Sequence, residues 1–473
     1  MMKVLMLLLN KTNFLVILVI VIGTVLRILY LTRHDFWYDE AFTYHIARLP
    51  ILDLFKAVLS DNNPPLYYLI IHFLLKLSSN EIILRIPSVI ANITSIVLLY
   101  TLLNKFINRN VGLIASALFS LSPLAIYIGT EARLHSLAML LSIGLVFSFS
   151  LLIKKPDFKA ILTFFFVATL ALYTQYYLIL LFIPFTIFVI TKKQPLTIKK
   201  WIIIAVVSLA TLAPWITLSL GIHNNCSCPN ALLSLPAALI SPVIGGVGEV
   251  TLRTFTALPY PVIFLFAITV VFILFFFIRG LLYNPLLTFV YMIPLALLSV
   301  LGLIMPVFSP RAFAIFSPFY FGIVAYGITT FKQKRSLTVL VCILLGTISL
   351  IQTFNSFFAG EKLKSVYTII KQDDISPIVH TSLVTYYSIN YYSQGKQRNI
   401  LLTNNPLSRL TVNYIGGGKQ HIDNNMVTFW FVDTKKWVDK NEGMQTLEKI
   451  FKKFRTEKEY TIGIITVRYM KLK

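Results

Sequence analysis

Between residues 14 and 354 the chain is a succession of long apolar runs, many close to the length of a bilayer-spanning helix, divided by short polar segments. A helix needs about 20 apolar residues to cross the hydrocarbon layer. Hydrophobic residues make up 57% of the 473, and a single soluble core could not hide so many runs. Only helices and closed barrels satisfy their backbone groups in lipid. Barrel strands alternate apolar and polar residues, whereas these runs are continuous. The chain is therefore predicted to be an α-helical polytopic membrane protein. Its first run, Phe14 to Leu31, is too long for a signal-peptide core and lacks a small-residue cleavage site, so it is expected to be a retained span.

The net charge of +23 would point to nucleic acid if it were gathered on one domain, but its distribution argues otherwise. Fifteen bases fall in short clusters between apolar runs: Lys3 and Lys11; Lys105 and Arg109; Lys154, Lys155 and Lys159; Lys192, Lys193, Lys199 and Lys200; Arg279; Lys332, Lys334 and Arg335. Asp157 is the only acid among them. Such clusters mark cytoplasmic loops, so the charge is topological and no nucleic-acid partner is expected.

With every basic cluster on one side, the segments between them become hairpins. The stretch from Ala160 to Thr191 has lysines at both ends and holds 32 residues. It must cross an even number of times, so two short or tilted spans turning near Gln175, Tyr176 and Tyr177 are predicted. The same parity places apices at Asp35–Glu81, Gly129–His135, Gly221–Leu258 and Pro306–Arg311 on the outer face, and a last span from Leu337 to Phe354 delivers the tail there too. The prediction is about eleven transmembrane helices. Of nine acids before residue 355, eight lie in the outer segments: Asp35, Asp39, Glu40, Asp53, Asp61, Glu81, Glu131 and Glu249. Acids contribute little to topology, so their segregation points to an outward-facing polar cavity.

Residues 1–355 are thus expected to form a transmembrane domain with a large first outer loop at 33–81. Residues 356–473 are expected to form a small soluble α/β domain on the outer face, with a tail that carries eighteen bases and ten acids. Helices are predicted at Lys362–Lys371, Leu383–Tyr392 and, amphipathic, Met444–Phe454. Strands are predicted at Ile378–Ser382, Asn399–Thr403, Met426–Asp433 and Thr461–Tyr469. Gly416-Gly417-Gly418 follows no strand-to-helix turn and reads as a loop.

The first outer loop is richest in chemistry. It holds Asp35-Phe36-Trp37-Tyr38-Asp39-Glu40, then Asp61-Asn62-Asn63-Pro64-Pro65-Leu66-Tyr67-Tyr68, then Glu81 and Arg85. Adjacent carboxylates beside Trp37 and Tyr38 suit a site at headgroup level. A partly desolvated carboxylate has a raised pKa and can act as a general base. A solvated acidic loop is the plainer alternative, and for Asp35 or Asp53 alone it is the better one. Glu131 and Arg133, two apart at a hairpin tip, either pair with each other or leave Arg133 to bind lipid headgroups or a phosphate. Arg311, in Ser309-Pro310-Arg311, either snorkels or binds phosphate. Cys226 and Cys228 share an outer loop but have no partners at zinc-ligand spacing, Cys342 reads as a small core hydrophobe, and His72 and His223 lack partners at ligand spacing. There is no Walker loop, which argues against ATP-driven transport by this chain.

Together these segments resemble a GT-C glycosyltransferase of the protein O-mannosyltransferase-like branch, which includes the lipid A aminoarabinose transferases. The resemblance rests on Trp37-Tyr38-Asp39-Glu40-Ala41-Phe42, on Asn63-Pro64-Pro65-Leu66-Tyr67-Tyr68, and on Glu81 with Leu84-Arg85-Ile86-Pro87-Ser88. It continues through Ser122-Pro123 and Glu131-Ala132-Arg133 to Ser309-Pro310-Arg311 before Pro318. It implies a GT-C fold and transfer of a sugar from a polyprenyl-phosphate donor to a glycan, lipid or protein acceptor on the outer face of the plasma membrane, with inversion. Asp39 is then the general base, and Glu40 orients the acceptor or holds Asp39. Arg133 and Arg311 stabilise the phosphate leaving group. Asp61, Asn63, Tyr67, Glu131 and His135 are expected to line the substrate site. Asn63, Ala312 and His135 depart from the residues many relatives carry at those places, which leaves the sugar and any metal open. No cofactor is required by these motifs, although Asp61 and Glu40 could hold a divalent cation. A lipid-linked saccharide flippase is the alternative. It would place charges through the membrane mid-depth, whereas the acids here gather at the outer ends.

Overall fold

The computed structural model describes residues 11–59, 61, 63–192, 195–219, 231–245, 258–305, 308–354, 362–373, 375–402, 409–423, 426–434 and 448–473. Glu249, Cys226, Cys228 and His223 lie outside them. Among the described residues six helices are long and apolar enough to cross a membrane: Phe14–Leu31, Glu81–Phe106, His135–Lys154, Tyr260–Gly280, Pro310–Thr329 and Lys334–Phe354. Two bent pairs make it eight if each is one crossing: Arg109–Leu121 with Pro123–Gly129, at 64°, and Ile198–Ala210 with Ala213–Ser219, at 43°. Leu66–Leu75, Phe158–Leu172, Tyr176–Thr191, Ser234–Ile244 and Pro285–Leu301 are shorter apolar helices, below the length that crosses a bilayer untilted. The chain is a multi-pass membrane protein.

Local chemistry accounts for the helix boundaries. Gln175 takes extended dihedrals (φ −155°, ψ 124°), ending one helix and opening the next, so the 32-residue segment folds as a broken pair. Asp157, the lone acid among the basic clusters, caps Phe158–Leu172. Its Oδ1 accepts from the Ala160 N–H at 2.9 Å, and Oδ2 lies 3.2 Å from Lys155 Nζ. Those bonds hold its carboxyl below the usual carboxylate range. Asn108 and Asn284 cap the following helices in the same way, accepting from Val111 and Leu287. The segment Gly221–Leu258, expected to be one loop, contains the helix Ala231–Ile244, which Pro236 and Pro242 disguise in the sequence.

The molecule divides into two compact units. One is Met1–Leu31, Arg85–Leu218 and Cys226–Phe358; the other is Thr32–Leu84, Ser219–Asn225 and Ala359–Lys473. The elements among the described residues of the first are all helices. Trp201 is its aromatic anchor, meeting Phe149, Phe164, Phe182 and Phe185 at centroid distances of 5.2 to 6.1 Å. Its indole N–H donates to Thr186 Oγ1 at 2.9 Å. Phe14, Val21, Val25 and Ile28 of the first span are exposed, as a lipid-facing stripe requires.

The second unit joins the first loop to the tail, so the division differs from one placed at residue 355. Its sheet has the order β2-β1-β3-β5-β4, with β1 Ile378–His380, β2 Asn399–Leu401, β3 Thr428–Thr434, β4 Phe454–Ile462 and β5 Ile465–Leu472. β1 runs parallel to β2 and β3, while β5 is antiparallel to β3 and β4. The pleat sends Trp430 and Val432 into one core with the helix Leu363–Ile370, and Phe429 and Phe431 into another with Ile450 and Phe454. The loop helix Tyr38–Ala47 packs on the tail helix Leu383–Ser393: Phe36 stacks on Tyr391 at 4.2 Å and Tyr44 meets the same ring edge-on at 4.8 Å.

Candidate active site

In the loop-and-tail unit, Trp37-Tyr38-Asp39-Glu40 opens the helix Tyr38–Ala47, with both acids in its first turn. A helix N-terminus stabilises the anionic form of a carboxylate, the form a general base requires. The two acids are not equivalent. Glu40 is fully buried, and its Oε2 accepts from the Trp37 backbone N–H at 3.4 Å. It thereby closes the helix start from within, and of the pair only Asp39 is half-exposed. Glu40 thus holds the backbone of the turn that carries Asp39.

The second motif folds on itself. Tyr68 Oη donates to Asp61 Oδ2 at 2.5 Å, and Asn63 Nδ2 donates to the same oxygen at 3.1 Å. Pro64 and Pro65 precede the helix Leu66–Leu75, where fixed φ suits helix entry. Tyr67 is buried within that helix. Asp35 and Glu81 bind the tail: Asp35 Oδ2 accepts from the Lys364 backbone N–H at 2.7 Å, and Glu81 receives Lys364 Nζ at 2.6 Å and Tyr392 Oη at 3.2 Å. Both acids therefore have a structural role. Among the described residues no three His, Cys, Asp or Glu side chains are grouped to hold a metal ion. Asp61 and Glu40 each take protein donors on one carboxylate oxygen.

The helical unit holds the remaining candidates. Glu131, Ala132 and Arg133 occupy the turn between Pro123–Gly129 and His135–Lys154. The structure pairs Glu131 with Arg311, 180 residues away: Oε2 and Nη2 lie 2.6 Å apart, with Glu131 fully buried and Arg311 16% exposed. Tyr127 also hydrogen-bonds Glu131. Arg311 starts a short helical turn after Pro310, capped by Ser309. Arg133 is buried, and its carbonyl accepts from Ser88 Oγ at 3.1 Å. His135 is buried too, and its Nδ1 has no partner among the described residues. Arginine is the residue type whose planar guanidinium binds phosphate in bidentate fashion. Sequence reasoning passed over Arg27 and Asn92 and gave no role to Ser88 within its motif; all three are fully buried in this unit. The signal was available, since Arg27 is the one charged residue inside the first apolar run.

Residues 62–217, about a third of the chain, match the family of dolichyl-phosphate-mannose-protein mannosyltransferases. No curated protein matches the chain by sequence. Among solved structures, ArnT from Cupriavidus metallidurans bound to undecaprenyl phosphate is similar with a TM-score of 0.58 at 10% identity, over 97% of this chain and 98% of that one. The Archaeoglobus fulgidus oligosaccharyltransferase in complex with Zn and sulfate gives 0.53 at 12% identity, over 95% and 72%. The archaeal oligosaccharyltransferase AglB from Archaeoglobus fulgidus, in complex with an inhibitory peptide and a dolichol-phosphate, gives 0.52 at 10%, over 97% and 74%. The helical membrane architecture and the small terminal sheet are those of the GT-C fold, and residues 62–217 are similar to the mannosyltransferase family.

Proposed function

We propose that this protein is an inverting glycosyltransferase that moves a sugar from a polyprenyl-phosphate donor to a hydroxyl acceptor on the extracytoplasmic face of the plasma membrane. The observation that carries the proposal is the buried Glu131–Arg311 pair in the unit that also buries Arg133. Two motifs far apart in sequence meet there, and the guanidinium groups of Arg133 and Arg311 are of the type that binds a phosphodiester. The bound lipid phosphates of ArnT and AglB support the donor class. The segregation of the basic clusters supports the outer face.

In this mechanism Asp39 takes the acceptor hydroxyl proton as the oxygen attacks the anomeric carbon from the side opposite phosphate. The new glycosidic bond forms as the bond from sugar carbon to phosphate oxygen breaks, and its electron pair leaves with polyprenyl phosphate. The phosphate goes from one negative charge towards two, so Arg133 and Arg311 bind the transition state more tightly than the donor. Phosphate needs no strong general acid. The acceptor is a glycan, lipid or protein hydroxyl.

The test is turnover of a panel of polyprenyl-phospho-sugars by the full chain in lipid, beside Asp39→Asn. Release of sugar from the carrier is expected in the native chain, with kcat lowered about 10²–10⁴-fold in the variant. Full turnover by Asp39→Asn would remove Asp39 as the base. Translocation without glycosidic cleavage would make the chain a flippase.

A further inference from the structure

The bend at Ser122-Pro123 opens backbone groups inside a span. Pro123 has no N–H, and a 64° bend draws the next N–H groups away from the carbonyls before it. An open carbonyl in hydrocarbon is costly. Here the Ser120 carbonyl accepts from Arg27 Nη1 at 3.0 Å, and the Leu121 carbonyl accepts from Ser349 Oγ at 2.5 Å. The first and last long spans thus each supply a side chain to the break.

Arg27 is completely buried. Besides Ser120, it donates from Nη1 to the Gly23 carbonyl at 2.8 Å and from Nε to Asn92 Oδ1 at 2.7 Å. An arginine N–H can only donate, so it fixes the amide of Asn92: the oxygen faces Arg27 and Nδ2 faces away. Nδ2 then donates to Ser136 Oγ at 3.4 Å, and Ser136 donates to the Ile128 carbonyl at 3.0 Å. Asn92 also lies against Gly129, where an added Cβ would be 3.0 Å from its Cγ. One turn earlier on the same helix face, Ser88 holds the Arg133 carbonyl.

We infer that Arg27 and Asn92 are positioning residues for the phosphate-binding turn, bracing the residues on either side of Glu131 and Arg133. Asn92 fixes Ile128, Gly129 and Ser136, Ser88 fixes Arg133, and Arg27 orients Asn92 while closing the helix break that delivers the turn. The inference rests on the proposed donor chemistry for its functional consequence but not for its structural one.

The experiment uses the full chain in lipid nanodiscs, with Arg27→Lys and Asn92→Asp. Lysine cannot reach three acceptors at once. Aspartate keeps the bond to Arg27, so the fold survives, but it loses the donor to Ser136. Both variants should speed amide exchange over residues 128–136 about tenfold, the scale of one lost buried hydrogen bond. Exchange in Tyr260–Gly280 should be unchanged, which general destabilisation would not leave so. The KM for a polyprenyl-phospho-sugar should rise about tenfold with the acceptor KM unchanged. Native-like exchange at 128–136 in Asn92→Asp would overturn the brace. Faster exchange there with an unaltered donor KM would overturn its link to phosphate binding. If the native chain turns over no such donor, the proposed function fails, and exchange still decides the brace.

Discussion

Glu131 and Arg311 show how differently the two members of one ion pair can be placed. Glu131 is fully buried, while Arg311 keeps some exposure. Removing the arginine takes that counter-charge from a fully buried carboxylate, and removing the carboxylate takes it from a cation that water can still reach. Arg311→Gln should therefore lower the thermal midpoint in detergent more than Glu131→Gln does. The double variant should be less destabilised than the sum of the two. An additive result would show that the pair is not coupled. In the sequence, Glu131 stood two residues from Arg133 and pairing between them was one open reading; its bond to Arg311, 180 residues distant, lies beyond any spacing rule. The motif Asp39-Glu40 was legible as a site. That one of the two acids turns inward to hold a helix start emerges only once the helix exists.

At the scale of elements, apolar length and flanking charge were enough to predict most of the spans and the broken hairpin at Gln175. The strand Phe454–Ile462 was not legible. It is an edge strand, solvent-exposed along most of its length, so it lacks the apolar alternation that marks a strand. Its charges protect an open edge instead. Helix contacts are equally hidden in composition. Tyr260–Gly280 and Ser317–Thr329 touch backbone to backbone: a Cβ on Gly280 would lie 2.0 Å from the Ile323 carbonyl oxygen, and one on Gly327 would lie 2.0 Å from that of Phe276. Small residues permit such close approach within membranes. Because each obstacle is a main-chain atom, no side chain can yield and the helices must part. Gly280→Ala or Gly327→Ala should each cost about 1–3 kcal/mol, the range for overpacked cores. Gly346→Ala, which meets only Leu121 Cδ2 at 3.9 Å, should be close to neutral in the same thermal assay.

The whole molecule is two compact units, and the sequence boundary near residue 355 marks only one edge of the second. No local pattern connects Phe36 with Tyr391, so the membership of the first loop in that unit could not be read from the chain. This unit also carries an acid sensitivity. His45 Nε2 lies 3.0 Å from the Tyr387 carbonyl, and His380 bonds Thr385 and Asn399. Burial pushes both imidazoles down to about 4; nearby Arg48 also lowers His45, while the Tyr387 carbonyl and Asn399 partly oppose the shifts. Unfolded, each would titrate near 6.5. Between those values the unfolded chain binds more protons than the folded one, so stability falls as pH falls from about 6.5 towards 4. Each histidine should withdraw about 2 kcal/mol by pH 5 relative to pH 8. Proteolysis of residues 362–473 in the intact chain should therefore accelerate on acidification, and His380→Gln should flatten part of that dependence. A tail equally resistant at pH 8 and pH 5 would mean that neither histidine is held neutral by burial.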